Sequence, residues 1–208
     1  MKNTALIRLL TVLLLIPFLA IGCGNRSAQS SRTLNGFITS FEVLPSDSTI
    51  GDFDLETNGY VNLEQSKKYV TNGKYSCKAV FSVPVDFVST TQAAKTQSWI
   101  AGITMSIKTM SKLPITDWSL FKKFSVDITN PDNVSKDFFI KLTDAQGKEY
   151  LAAPFALKSG RNKLEINIED VKTARVDVAN IIAFQLYIDT KSDPKDITLY
   201  IDNIHLVP

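Results

Sequence analysis

Residues 197–206 read Ile-Thr-Leu-Tyr-Ile-Asp-Asn-Ile-His-Leu. Ile197, Leu199 and Ile201 alternate with Thr198, Tyr200 and Asp202. That period of two predicts a strand with one face in a core and one face out. The chain runs on for two residues, to Pro208. The stretch is therefore expected to complete a sheet.

Upstream the same pattern recurs. Strands are predicted at Phe37–Val43, Tyr60–Gln65, Lys74–Val83, Ser98–Lys108, Phe124–Thr129, Phe138–Asp144, Glu149–Ala153, Lys163–Ile168 and Ile181–Asp189. Turn residues punctuate them: Thr71-Asn72-Gly73, with Asn-Gly the usual hairpin dipeptide, Asn130-Pro131-Asp132-Asn133, Ala145-Gln146-Gly147 and Lys158-Ser159-Gly160-Arg161-Asn162. Pro45–Gly59 reads as loop, Val85–Gln97 as loop or a short helix, and Ile168–Val178 as room for one helical turn. Amphipathic helices between strands are missing, so a parallel α/β sheet is excluded. The expected fold is all-β: a two-sheet antiparallel sandwich or jelly roll.

The 208 residues begin with an address. Lys2 and Arg8 precede an apolar run, Leu9–Ile21, which is short for a membrane span and suits a signal peptide. The junction Leu19-Ala20-Ile21-Gly22-Cys23 resembles the lipobox of bacterial lipoproteins. The resemblance implies cleavage before Cys23 and lipidation of that cysteine. Several acyl chains anchor stably, at about 0.8 kcal/mol per buried methylene. Gly24 stands where Asp would signal inner-membrane retention, which points to the outer membrane in a Gram-negative cell. The expected division is 1–22 signal peptide, 23–35 lipidated Cys and polar tether, and 36–208 one globular domain.

Residues 1–22 carry two of the 23 Lys and Arg and none of the 21 Asp and Glu, so the mature chain is formally neutral. No basic field for nucleic acid exists. Of the two cysteines, Cys77 lies in a strand pattern with Tyr75, Ala79 and Phe81 and is expected to be a small buried hydrophobe. Trp118 is expected to pack inside.

Five pieces line up in order: Phe41-Glu42; Asn72-Gly-Lys-Tyr-Ser-Cys-Lys-Ala-Val80; Asp117-Trp-Ser-Leu-Phe-Lys-Lys-Phe-Ser-Val-Asp-Ile-Thr-Asn130; Leu157-Lys-Ser-Gly-Arg-Asn-Lys-Leu-Glu-Ile166; and Ile197–Leu206. Together they resemble carbohydrate-binding modules of the galactose-binding-like jelly-roll type, over about Gly36 to Val207. The resemblance implies a non-catalytic glycan-binding domain on a surface lipoprotein of the cell envelope. It also implies a structural Ca²⁺ between the first and last strands. The matching positions are Glu42, Asp202 and the segment containing Asn72 and Lys74, which would offer carbonyl oxygens. The alternative is that Glu42 and Asp202 are solvated strand-end carboxylates.

Glycans are held by aromatic rings under sugar C–H faces and by amides and charged groups on hydroxyls. In modules of this type such residues line the concave sheet. With Phe124, Val126, Ile128, Phe138, Ile140, Leu142, Phe184, Leu186 and Ile188 in the core, alternation turns Asp127, Phe139, Lys141, Gln185 and Tyr187 outward. These five are the expected ligand-binding face, with Trp99 joining if its strand lies in the same sheet. A protein partner on an accessory envelope lipoprotein is the alternative. The alternation Glu165-Ile-Asn-Ile-Glu169 puts Glu165, Asn167 and Glu169 on one strand face, which resembles the alternating acids of jelly-roll glucanases. Retaining hydrolysis needs two carboxyls about 5 Å apart, and the middle position is Asn167. His205 is the only histidine and no Gly-x-Ser-x-Gly occurs. No enzyme activity is expected.

Overall fold

A computed structural model describes residues 35–39, 41–42, 55–58, 60–82, 100–106, 113–189 and 195–208. Cys23 and Trp99, and with them the expected lipidation and the sixth ligand-binding residue, lie outside the described residues. Twelve strands are described: β1 Phe37–Thr39, β2 Glu56–Thr57, β3 Val61–Ser66, β4 Ser76–Phe81, β5 Ile100–Ser106, β6 Lys123–Asn130, β7 Lys136–Asp144, β8 Glu149–Leu151, β9 Phe155–Leu157, β10 Gly160–Asn167, β11 Ile181–Asp189 and β12 Ile197–Val207. One short helix, α1 Ile168–Thr173, and a single 3₁₀ turn at Val178–Asn180 complete the described elements.

The strands form two antiparallel sheets. The first runs β10-β6-β12-β4-β3, with β1 also on β12; the second runs β2-β5-β11-β7-β8, with β9 also on β7. The fold is a jelly-roll β-sandwich. The last strand lies inside the first sheet, between β6 on one edge and β4 and β1 on the other.

Its apolar set reaches the core in two registers. Ile197, Leu199 and Ile201 are buried, and so are Ile204 and Leu206. The phase changes because Asp202 pairs with Asp127 while His205 pairs with Ser125, which leaves one extra residue on β12. Asn203 absorbs it at φ 49°, the left-handed conformation that Asn tolerates better than most residues.

The predicted core faces are all buried: Phe124, Val126 and Ile128 on β6, Phe138, Ile140 and Leu142 on β7, and Phe184, Leu186 and Ile188 on β11. Aromatic contacts join the sheets. Phe124 meets Phe184 at 5.3 Å and Phe81 meets Phe138 edge-on at 6.4 Å. Trp118 is fully buried, stacks on Phe124 at 5.2 Å and donates its indole N–H to the Ile115 carbonyl at 2.8 Å. Cys77 is buried too, and burial pushes its thiol up to about 12, so it is no nucleophile at neutral pH.

Three local expectations fail. Part of the 45–59 loop forms β2, which pairs Glu56 and Thr57 with Thr104 and Ile103. The Asn72-Gly73 turn is not a two-residue hairpin: β3 and β4 pair from Ser66 and Ser76 outward, leaving 67–75 as a long connection. The strand carrying Glu165 stops at Asn167, where α1 begins; Ile168 and Val171 turn the helix onto the core. Glu165, Asn167 and Glu169 therefore do not share a strand face.

Candidate carbohydrate-binding face

On β7 and β11 the residues opposite the core point away from the sandwich. Register pairs Tyr187 with Phe139 and Gln185 with Lys141. On its other side β11 pairs Tyr187 with Gly102 and Gln185 with Thr104, and Glu56 follows opposite Thr104. One row across this outer face is thus Glu56, Thr104, Gln185, Lys141 and Leu151; the next holds Gly102, Tyr187 and Phe139.

The Phe139 and Tyr187 rings are 5.0 Å apart and 8° from parallel. Rings lying flat and side by side would collide at that distance. They must stand upright, offset-stacked, at about the 4.8 Å strand spacing. Tyr187 is 7% exposed and Phe139 half-buried. Phe139 is therefore the more accessible ring and Tyr187 its backing. Polar groups flank the pair. The Lys141 ammonium meets Glu149 at 2.9 Å across the β7–β8 edge. A side chain at Gly102 would press on the Gln185 amide nitrogen at 3.2 Å and the Tyr187 Cβ at 3.3 Å. The glycine lets both side chains sit close to β5.

Asp127 does not belong to this face. It lies on β6, in the other sheet, where its Oδ2 accepts from Asn203 Nδ2 at 3.0 Å. Alternation assigns a side to each residue but not the sheet in which its strand lies, so Asp127 was grouped with residues on the far side of the sandwich. Sequence reasoning missed Gly102, Thr104 and Glu56, which register brings next to Gln185 and Tyr187. The polar-apolar alternation of β5 carried a signal for Thr104; a two-residue strand such as β2 leaves none.

The residues matched to calcium do converge, with a different chemistry. Asp202 is 1% exposed. Its Oδ2 accepts from the Thr71 amide at 2.7 Å, the Asn72 amide at 2.9 Å and the Thr71 hydroxyl at 3.0 Å; its Oδ1 accepts from the Asn203 amide at 2.7 Å. Burial pushes the Asp202 carboxyl up, against the pull of these donors. Glu42 Oε1 accepts from the Lys74 amide at 2.7 Å and the Tyr75 amide at 3.0 Å. Gly73, at φ 75°, sits under this carboxylate, and any Cβ there would strike Glu42.

Calcium needs six to eight oxygens. Here Asn72 and Lys74 turn N–H groups toward the carboxylates, and among the described residues no cluster of three or more acidic, His or Cys side chains could hold a metal. This donor set does not fit calcium: a cation between the carboxylates would face the positive ends of amide dipoles.

Nor do the acids of this stretch alternate on a strand as in jelly-roll glucanases: Glu165 is the one acid on β10, and Glu169 lies on α1. Glu165 bonds Lys123 at 2.6 Å and Lys163 at 3.2 Å. The Lys123 hydrogen bond leads in holding its carboxyl below the usual range, the reverse of what a general acid needs. Ser125 pairs with His205 across β6 and β12, but its fully buried hydroxyl has no hydrogen-bond partner among the described residues. His205 Nδ1 lies 2.8 Å from the Asn203 carbonyl oxygen.

No family model matches the chain, and no curated protein matches it by sequence. Solved structures do match in fold. An exo-beta-agarase aligns with TM-score 0.56 at 16% identity over 83% of this chain, which spans only 25% of that enzyme. The family 11 carbohydrate-binding module from Clostridium thermocellum, in complex with a beta-1,3-1,4-mixed-linked tetrasaccharide, aligns with TM-score 0.54 at 16% identity, covering 83% of this chain and 95% of the module. The CBM22-1 and GH10 modules of a Clostridium thermocellum endo-1,4-beta-D-xylanase, complexed with xylohexaose, align with TM-score 0.50 at 11% identity over 84% of this chain and 28% of that one. At these identities the likeness is one of architecture, and this chain shares with the family 11 module, nearly end to end, a two-sheet antiparallel jelly roll.

Proposed function

We propose that this chain binds carbohydrate without cleaving it, through the outer face of the second sheet. The observation that carries the reading is the Phe139–Tyr187 stack with Gln185 and Lys141 one row away on the same strands. Phe139 offers apolar contact to sugar C–H groups, and the amide and ammonium serve hydroxyls. The match to nearly the whole of one binding module, against a quarter of the agarase, supports a binding role over a catalytic one. The lysine-held Glu165 supports it as well.

In this reading Cys23 carries the lipid, residues 24–35 are the tether, and the domain displays its glycan face at a bacterial envelope surface. The ligand class is a polysaccharide segment, long enough to lie across several strands. A glycan array probed with the full chain, including mixed-linked β-glucan, xylan and agarose oligosaccharides, tests it. Retention of a polysaccharide class with no release of reducing ends is expected. Retention of nothing, or turnover of the retained glycan, overturns it.

A further inference from the structure

The outer face of the first sheet holds a cleft that the proposed glycan face does not use. It encloses about 370 Å³ and is lined by Thr71, Asp127, Thr129, Arg161, Asn162 and Lys163, with Ile128 completing its wall. Register explains the grouping. Thr129 stands between Tyr200 on β12 and Arg161 on β10, and Asp127 between Asp202 and Lys163. The 67–75 connection folds over the same face, pinned by the Thr71 and Asn72 amides on Asp202 and by the Ser76 hydroxyl on the Lys68 carbonyl at 2.6 Å.

Tyr69 sits between those pins at φ 53°, a strained conformation for a bulky residue. The constraint keeps its ring on Tyr200 at 4.6 Å, yet 43% of the residue is exposed. The next carbonyl, of Val70, accepts from Arg161 Nη2 at 3.2 Å. That is the one hydrogen bond of the guanidinium among the described residues, so its remaining N–H groups are available in a planar fork suited to a carboxylate. Lys163 adds a second cation, shared with Glu165 at 3.2 Å. Asp127, fixed through one oxygen by Asn203, offers the other to a hydroxyl.

We propose that this cleft is a second saccharide site, selective for an acidic sugar. The carboxylate of a uronic acid residue would lie against Arg161 and Lys163. Its hydroxyls would reach Asp127 and the threonines, and the exposed Tyr69 ring would cover a neighbouring sugar. The site lies on the opposite sheet from Phe139 and does not depend on it.

Equilibrium titration of the full chain with trigalacturonate and with neutral galactotriose is the test, run on the unmodified chain and on Arg161→Ala, Tyr69→Ala and Phe139→Ala. Trigalacturonate is expected to bind at least tenfold tighter than galactotriose, to weaken with added salt, to lose at least tenfold in Arg161→Ala and severalfold in Tyr69→Ala, and to be unchanged in Phe139→Ala. Equal affinity for the two trisaccharides, no binding of trigalacturonate, or loss in Phe139→Ala with Arg161→Ala silent would each overturn the proposal. A result confined to Phe139→Ala would instead count toward the face on the second sheet, so the two sites are told apart.

Discussion

Asp202 is the residue on which the ordering of the 67–75 connection depends. Three amide N–H groups and one hydroxyl converge on its carboxylate in part-buried hydrogen bonds, and the acid's removal takes away their acceptor. A hydrogen bond to a charged group contributes about 1.5–3 kcal/mol. Asp202→Ala is therefore expected to lower the unfolding free energy by at least about 2 kcal/mol, read by urea denaturation; a change within experimental error would contradict the clamp. Asp144 acts likewise at the β7–β8 turn. Burial raises its pKa, but amides from Asp177, Lys148 and Gln146 more than offset this and leave it lowered. Glu165, bonded first by Lys123, and Asp117, bonded first by the Ser119 hydroxyl, are also lowered. Groups of this kind bind protons more readily when unfolded, so their stabilisation is present above the ordinary values of 3.8 and 4.5 and is lost as pH falls through the folded values. Asp202 has the opposite sign: its raised value means a contribution present in acid and lost as pH rises through the folded value. The melting temperature should therefore fall steeply below about pH 4, and Asp144→Asn should flatten that fall. An unchanged acid slope in Asp144→Asn would mean that Asp144 does not contribute to the acid transition.

The elements divide by how much of their neighbourhood their own residues encode. Period-two alternation marks the core face of β6, β7, β11 and β12 because each has one side in the sandwich, and those faces were legible residue by residue. It carries no information on which sheet receives a strand, and so it grouped Asp127 with Phe139. It also ignores extra residues: the bulge at Asn203 brings Ile204 and Leu206 inward, against a simple continuation of Ile197, Leu199 and Ile201. Strands of two or three residues, β2 and β9, are too short to show a period at all. The 67–75 connection is the sharpest case. Glu42, Asp202, Asn72 and Lys74 were legible as a convergence, but residue types cannot say whether a backbone presents carbonyls or amides. Amides face both carboxylates, and this gives an element-scale test. The melting temperature should be the same, within about 1 °C, in excess EDTA and in millimolar calcium; a difference of 1 kcal/mol would appear as several degrees. A clear rise with calcium would mean that the connection can turn its carbonyls to a cation.

At the scale of the whole molecule the jelly roll has two outer faces with different chemistry. The second sheet presents a stacked aromatic pair with an amide and an ammonium; the first presents a polar cleft with two cations, a carboxylate and an exposed tyrosine. β12 joins these scales. Its apolar residues close the core, Asp202 clamps the 67–75 connection, and Tyr200 backs the Tyr69 ring. The fold itself was readable from strand and turn spacing, whereas the faces needed register, which only the paired strands supply. The proposed role of Phe139, backed by Tyr187, is that of the sugar-contacting ring in a binding face. It is tested most directly by titrating the full chain and its Phe139→Ala variant with the polysaccharide that the array retains best. At least a tenfold loss of affinity is expected, about 1.4 kcal/mol, with the far-UV spectrum and cooperative unfolding preserved. Equal affinity of the variant and the unmodified chain for that glycan would contradict it.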